Sequence, residues 1–200
     1  MNAYCIGNGE SRKYLNLDSL TAGYETVGCN ALHREFTPDH LVCCDRRMVE
    51  EAVANLLIPN TKIYPRDSWY KYFRKVKKDK RINLLPPLPY EERNTKADHP
   101  EHWGSGTYAV LLASTLPGIE EVNLIGFDLY SVNDKVNNLY KGTNNYAKKD
   151  AKPIDYSFWI YQTRKVFVNF PNIKYNIFND KNWKLPKDWN LPNTEYFEYS

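Results

Sequence analysis

His102-Trp103-Gly104-Ser105-Gly106-Thr107-Tyr108-Ala109-Val110-Leu111-Leu112-Ala113, with Val122-Asn123-Leu124-Ile125-Gly126-Phe127-Asp128-Leu129-Tyr130 close behind it, decides how this chain is read. The first piece opens on small and hydroxylated residues and then runs apolar, the pattern of a buried helix. The second is a short Val, Leu and Ile run closed by Gly, the pattern of a strand covered on both faces. A helix passing into such a strand is part of a βαβ unit, and the same alternation extends outward. Ala3–Ile6, Thr26–Cys29, Leu41–Cys44, Lys62–Tyr64, Ile82–Leu84 and Ile173–Phe178 also read as strands. Met48–Leu57, Ser68–Val76, Thr107–Leu116 and Ile154–Phe170 have helical spacing. Strands and helices alternating at this interval predict an α/β fold: a single Rossmann-like, doubly wound, mainly parallel sheet.

Two segments break the rhythm. Pro86-Pro87-Leu88-Pro89 and the charged stretch after it suit a surface excursion. Residues 131–152 are rich in Asn, Lys and Tyr and nearly free of aliphatics, so they predict a polar lid or a disordered loop rather than a core helix. The expected organisation is one α/β domain over residues 1–182, with that lid inside it. An aromatic C-terminal arm, residues 183–200, is expected to pack over the domain or against a second subunit of a homo-oligomer.

At 200 residues, with 42% hydrophobic and 26% charged, the chain can bury one core. A net charge of +3 is far short of the excess that phosphate-backbone binding exploits, so no nucleic-acid partner is expected. No apolar run approaches the length of a membrane span. The start, Met-Asn-Ala-Tyr-Cys-Ile-Gly, enters a strand without a basic, then apolar leader, so no signal peptide and a cytoplasmic location are expected. Cys5, Cys29, Cys43 and Cys44 lack metal-ligand spacing and read as reduced core thiols. Aromatics reach 14% and Asn is abundant, which suits stacking on polyhydroxylated ligands and follows equally from codon usage in an AT-rich genome.

In an open α/β sheet ligands bind beyond the carboxyl ends of the strands, so chemistry is sought there. Gly7-Asn8-Gly9-Glu10-Ser11 offers a tight turn, close backbone approach and a capping hydroxyl, the needs of a phosphate or nucleotide site and of an ordinary strand-to-helix turn alike. Asn30 follows Gly28-Cys29, and its amide can both donate to and accept from a base or sugar edge. Asp45 ends another strand, where a carboxylate can take a ribose hydroxyl or simply make a turn. Gly104-Ser105-Gly106 sets amides and hydroxyls at a helix start, where the helix dipole favours an anion. Asp128 and Tyr130 bring a carboxylate and a phenol to the same rim.

Taken together, Gly7-Asn8-Gly9-x-Ser11, Gly28-Cys29-Asn30 and Gly104-Ser105-Gly106 leading to Leu124-Ile125-Gly126-Phe127-Asp128-Leu129-Tyr130 resemble the bacterial sialyltransferases that use CMP-sialic acid. Gly104 to Phe127 is also similar to the small sialylmotif of animal sialyltransferases. The resemblance spans about residues 3–178. It implies a glycosyltransferase that moves a sialic acid-like sugar from a nucleotide-sugar donor to a saccharide or other hydroxyl acceptor. Asn8 and Asn30 would contact the nucleotide, and Ser105 with Gly106 its phosphate or the sugar carboxylate. Tyr130, and Tyr140 on the lid, would stabilise the departing phosphate, with no metal or other cofactor required. The family's catalytic histidine has no counterpart: its place falls near Asp155, a carboxylate expected to serve as base if burial raises its pKa, with His102 as the alternative.

Two further readings follow. The chain is also similar to the motility-accessory-factor and 6-hydroxymethylpterin pyrophosphokinase group, which implies Mg²⁺-dependent phosphoryl transfer to a small heterocycle, with Asp45 and Asp128 holding the metal and a nucleoside triphosphate. The missing histidine also fits an inactive domain that binds a glycan or a partner protein.

Overall fold

In the computed structural model, which describes residues 1–91, 93–131 and 133–199, seven strands form one sheet in which every pairing is parallel. In chain order the elements are β1 (Asn2–Ile6), α1 (Leu17–Leu20), β2 (Glu25–Cys29), β3 (His40–Cys43), α2 (Arg46–Ala54), β4 (Lys62–Pro65), α3 (Asp67–Lys71), α4 (Ser105–Thr115), β5 (Glu121–Ile125), α5 (Ser157–Asn169), β6 (Lys174–Asn179) and β7 (Thr194–Glu198). Across the sheet the order is β4-β3-β2-β1-β5-β6-β7. The chain winds outward from β1 to β4, returns through the connection carrying α3 and α4, and winds outward again from β5. The order therefore reverses between β1 and β5, which opens a crevice beyond their carboxyl ends.

Side chains leave a strand alternately to its two faces, and each face has its own core. Cys5, Val27 and Leu124 pack with α4, α5, Trp103 and Trp189 on one face. Ile6, Leu41 and Ile125 pack with Met48, Val49 and Ala52 of α2 and with Phe73 on the other. Helix α4 has no polar face: every residue from Thr107 to Ser114 is buried, because the helix is covered by the sheet and by α5 as well.

One predicted strand is absent. Ile82–Leu84 makes a single bridge to Ile63, with Asn83 N–H donating to the Ile63 carbonyl at 2.8 Å. The ladder stops there: Leu84 is exposed, and the prolines that follow have no N–H with which to extend it. The C-terminal segment, for its part, supplies a strand to the sheet. β7 pairs with β6 over Tyr175–Asn179, and Trp189 just before it is completely buried, its indole N–H bonded to the Ile160 carbonyl at 2.9 Å.

The stretch over residues 131–152 is a strap of turns tied to the domain. Leu139 N–H reaches the Asn8 carbonyl at 2.9 Å, Arg34 holds Thr143 Oγ1 and the Asn144 carbonyl, and Tyr146 Oη lies within hydrogen-bond reach of Asn8 Nδ2 and Ala31 N–H. Composition showed that it lacks a helix, whereas these anchors come from residues far away in sequence.

All four cysteines are free and buried, Cys43 facing the α2 core and Cys44 the α4 core. Burial pushes every one of these thiols up, Cys29 to about 12. Little thiolate is then available at neutral pH, and the thiolate is the reactive form. An aromatic disulfide reagent is expected to leave the native chain unmodified and to titrate four thiols in guanidinium. Rapid native reaction of any one of them would contradict this packing.

Candidate functional site

The three motifs that stand apart in sequence meet at the crevice between β1 and β5. Gly7, Asn8 and Gly9 after β1, Asn30 after β2, Gly104 to Thr107 at the start of α4, and Gly126 to Leu129 after β5 line a common cleft of about 750 Å³ including its open mouth.

The cleft exists because two loops cross nearly in contact. Gly7 N–H donates to the Ile125 carbonyl and Gly9 N–H to the Gly126 carbonyl, both at 2.8 Å. A Cβ on Gly7 would lie 2.4 Å from the Gly126 oxygen, so the crossing tolerates no side chain there. Gly126 itself turns with φ +69°, and Leu129 holds φ +62°, a strained value for a branched residue, at the rim of the cleft.

Asp128 is buried and fastens the first loop to the rim. It accepts from Ser11 N–H at 2.9 Å and from Ser11 Oγ, and Asn179 Nδ2 stands 3.4 Å from it. Ser11 thus serves the site from beneath rather than lining it. Asn8 works in a similar way: its amide donates to the Cys29 carbonyl at 3.1 Å and its backbone carbonyl anchors the strap, so the residue joins β1, β2 and residues 131–152. Ser105 Oγ accepts from Cys44 N–H at 2.9 Å and is also hydrogen-bonded to the Cys44 thiol, so it ties the start of α4 to the end of β3.

The backbone supplies the positive side of the cleft's electrostatics, with the buried Asp128 carboxylate also on its lining. In α4 the first N–H groups precede the first intrahelical bond, Tyr108 N–H to the Gly104 carbonyl, so the amides of Ser105, Gly106 and Thr107 lack helical acceptors. These three residues line the cleft, and the partial positive charge of the helix start favours an anion there. Asn30 adds a buried Oδ1 with no hydrogen-bond partner among the described residues, an acceptor available to a ligand donor. It reaches this place with φ +50°, a conformation Asn adopts more readily than most residues.

Several residues expected at the site lie elsewhere. Asp155 is fully exposed and accepts from Ser157 N–H at 2.9 Å; that bond holds its carboxyl below the ordinary value, the reverse of the burial-raised base expected from the sequence. His102 is exposed, stands edge-on to His99 and Phe158, and does not line the cleft. Asp45 caps α2 through Arg47 N–H at 2.8 Å, away from Asp128, so the two carboxylates do not form the pair a shared metal would need. Tyr140 is on the strap but faces inward: its hydroxyl donates to Glu35 and accepts from Arg12 Nη2 at 3.1 Å. Tyr130 lies beside the cleft, edge-on to Tyr156 and 6.0 Å from the Trp183 ring centre.

Sequence reasoning missed Trp159 and Thr163, which line the cleft from α5, and Asn137, which lines it from the strap. The first two look like core positions in a helical pattern, and the third is one Asn among many. It also missed Arg12. Buried at 2% exposure, Arg12 donates through Nε to the Gly7 carbonyl and through Nη1 to Glu35 at 2.9 Å.

Fold and cleft together define an α/β, Rossmann-like protein with a cleft at the switch point of its sheet. Comparison with protein-family models, with curated proteins and with solved structures gave no match. Among the described residues no helix is long and apolar enough to cross a membrane, and no group of three or more His, Cys, Asp or Glu is placed to hold a metal ion.

Proposed function

We propose that this chain is a nucleotide-sugar-dependent glycosyltransferase of the sialyltransferase-like kind, with a CMP-linked donor in the cleft between β1 and β5. The observation that carries the reading is the convergence of the Gly7–Gly9 turn, Asn30 and the Gly104–Thr107 helix start on one cleft. The donor phosphate lies against the amides of Ser105, Gly106 and Thr107. As the bond to the sugar breaks, charge grows on that phosphate, and oriented amides meet it without reorganising. Asn30 receives a donor of the base or ribose, and Trp159 gives the cleft an aromatic wall. The acceptor enters beside the strap, on the Tyr130 side.

Isothermal titration with CMP, UDP, GDP and ATP is expected to show one nucleotide preferred. Asn30→Gly removes the amide while keeping the left-handed backbone accessible, and Ser105→Ala removes the hydroxyl. Each is expected to weaken binding about tenfold, or ~1.4 kcal/mol. Failure of every nucleotide to bind, or an affinity unmoved by both substitutions, would refute the proposal.

A further inference from the structure

A second depression, of about 970 Å³ with its mouth, adjoins the cleft and shares Asp128 and Asn137 with it. Its remaining walls come from the strap, from the end of β6 and from the turn after β6, and neither the motifs nor the cleft accounts for them. Trp183 donates its indole N–H to the Asp128 carbonyl at 2.7 Å and leaves its half-buried ring beside that of Tyr130. Asn137 and Asn179 edge the rings with carboxamides already bonded to Glu10 N–H and the Tyr130 carbonyl, and to Asp180 N–H and Asp128, while Asn182 adds an exposed carboxamide that can both donate and accept. Aromatic faces for C–H surfaces, ringed by groups that pair with vicinal hydroxyls, are the chemistry a saccharide requires and an apolar ligand does not.

Asp180 lines the same depression. Its backbone is fixed on both sides: the carbonyl accepts from Tyr196 Oη at 2.8 Å and from Trp183 N–H at 2.9 Å, and the N–H donates to Asn179 Oδ1 at 2.8 Å. Its carboxylate, by contrast, has no hydrogen-bond or ion-pair partner among the described residues. We infer that the depression is the saccharide acceptor subsite and that Asp180 is the general base of the transfer. This inference rests on the nucleotide-sugar reading of the adjoining cleft. The acceptor oxygen forms a bond to the anomeric carbon, the bond from that carbon to the donor phosphate oxygen breaks with its electron pair passing to the nucleotide phosphate, and the acceptor proton passes to the Asp180 carboxylate.

The groups facing Asp180 are Asp128 and Tyr130 in the loop after β5, Lys184 in the turn after β6, and Tyr196 and Tyr199 in and after β7. Partial burial, then the Asp128 charge, raise its carboxyl above the ordinary 3.8, which makes the anion a better proton acceptor.

The test uses the full chain, with saturation-transfer NMR against lactose and a panel of methyl glycosides, calorimetry with CMP, and transfer from CMP-N-acetylneuraminate. We expect a saccharide of the panel to bind, its signal to drop at least fivefold in Asn182→Ala, and CMP affinity to stay within twofold. In Asp180→Asn, transfer falls about 100-fold and the acid limb of the pH profile disappears, while Asp180→Glu recovers part of the rate. The inference is overturned if no saccharide binds, if Asn182→Ala binds as the wild type does, or if Asp180→Asn keeps the wild-type rate and profile; CMP binding that persists in those cases leaves the nucleotide reading standing. Saccharide binding without any nucleotide binding would instead remove the nucleotide reading, and with it the role of Asp180 as base.

Discussion

Gly7→Ala is expected to lower stability by about 3 kcal/mol and to abolish nucleotide binding. The new methyl would stand 2.4 Å from the Gly126 oxygen and 2.9 Å from its carbon. Both are backbone atoms, and neither can swing aside as a side-chain end would. Relief requires the two loops to separate, which breaks the bonds from Gly7 to Ile125 and from Gly9 to Gly126. Because these same loops form two walls of the cleft, the ligand site opens as the fold weakens. For a chain of this length the melting temperature is expected to fall by roughly 10 °C. A melt within a degree or two of wild type, with CMP affinity unchanged, would show that the crossing is less tight than described.

Arg12→Met is expected to cost about 3 kcal/mol, because the substitution keeps the apolar stem and removes only the guanidinium. That group bonds the Gly7 carbonyl, Glu35 and the Tyr140 hydroxyl, thereby joining the first turn, the segment after β2 and the strap. Glu35 is 46% exposed and returns to water without its partner, so it contributes little of the cost. The buried Gly7 carbonyl cannot, and the buried Tyr140 hydroxyl is left with Glu35 alone. Loss of their partner also frees one anchor of the strap. Hydrogen exchange over residues 136–146 is therefore expected to speed up before the rest of the domain is affected. A melt close to that of wild type, with exchange in the strap unchanged, would mean that Tyr146 and Arg34 hold this segment without help.

The sequence made the α/β class legible because strands covered on both faces read as short apolar runs, and that pattern depends on local composition alone. Ile82–Leu84 shows where such reading stops. Its composition suits a strand, but a strand needs a partner along its whole length, and the prolines after it limit pairing to one bridge. β7 shows the converse: Thr194–Glu198 looks like part of an irregular tail and becomes a strand because the edge of β6 is free to receive it.

The site was legible to a similar extent. Glycines and small polar residues at strand ends marked Gly7, Asn30 and Gly104–Gly106, and these do come together. The catalytic candidates did not survive as well, because a side chain's chemistry is set by what surrounds it. Asp155 and Asp45 have the right functional group and spend it capping helices. Tyr140 has the right phenol and turns it inward to Glu35 and Arg12. Asp180 follows a strand in a polar stretch and carries no local signal, yet its carboxylate stands beside the cleft with no partner among the described residues.

By itself, then, the order of apolar runs and glycines determined a parallel sheet with glycine- and small-residue-rich turns after β1, β2 and β5, since backbone conformation and strand burial are written in neighbouring residues. Tertiary structure alone decided that β1 and β5 lie side by side and that Gly7 and Gly126 touch. Both depend on contacts between residues more than 50 positions apart in the chain, as do the bonds that Asn179 and Ser11 make to Asp128.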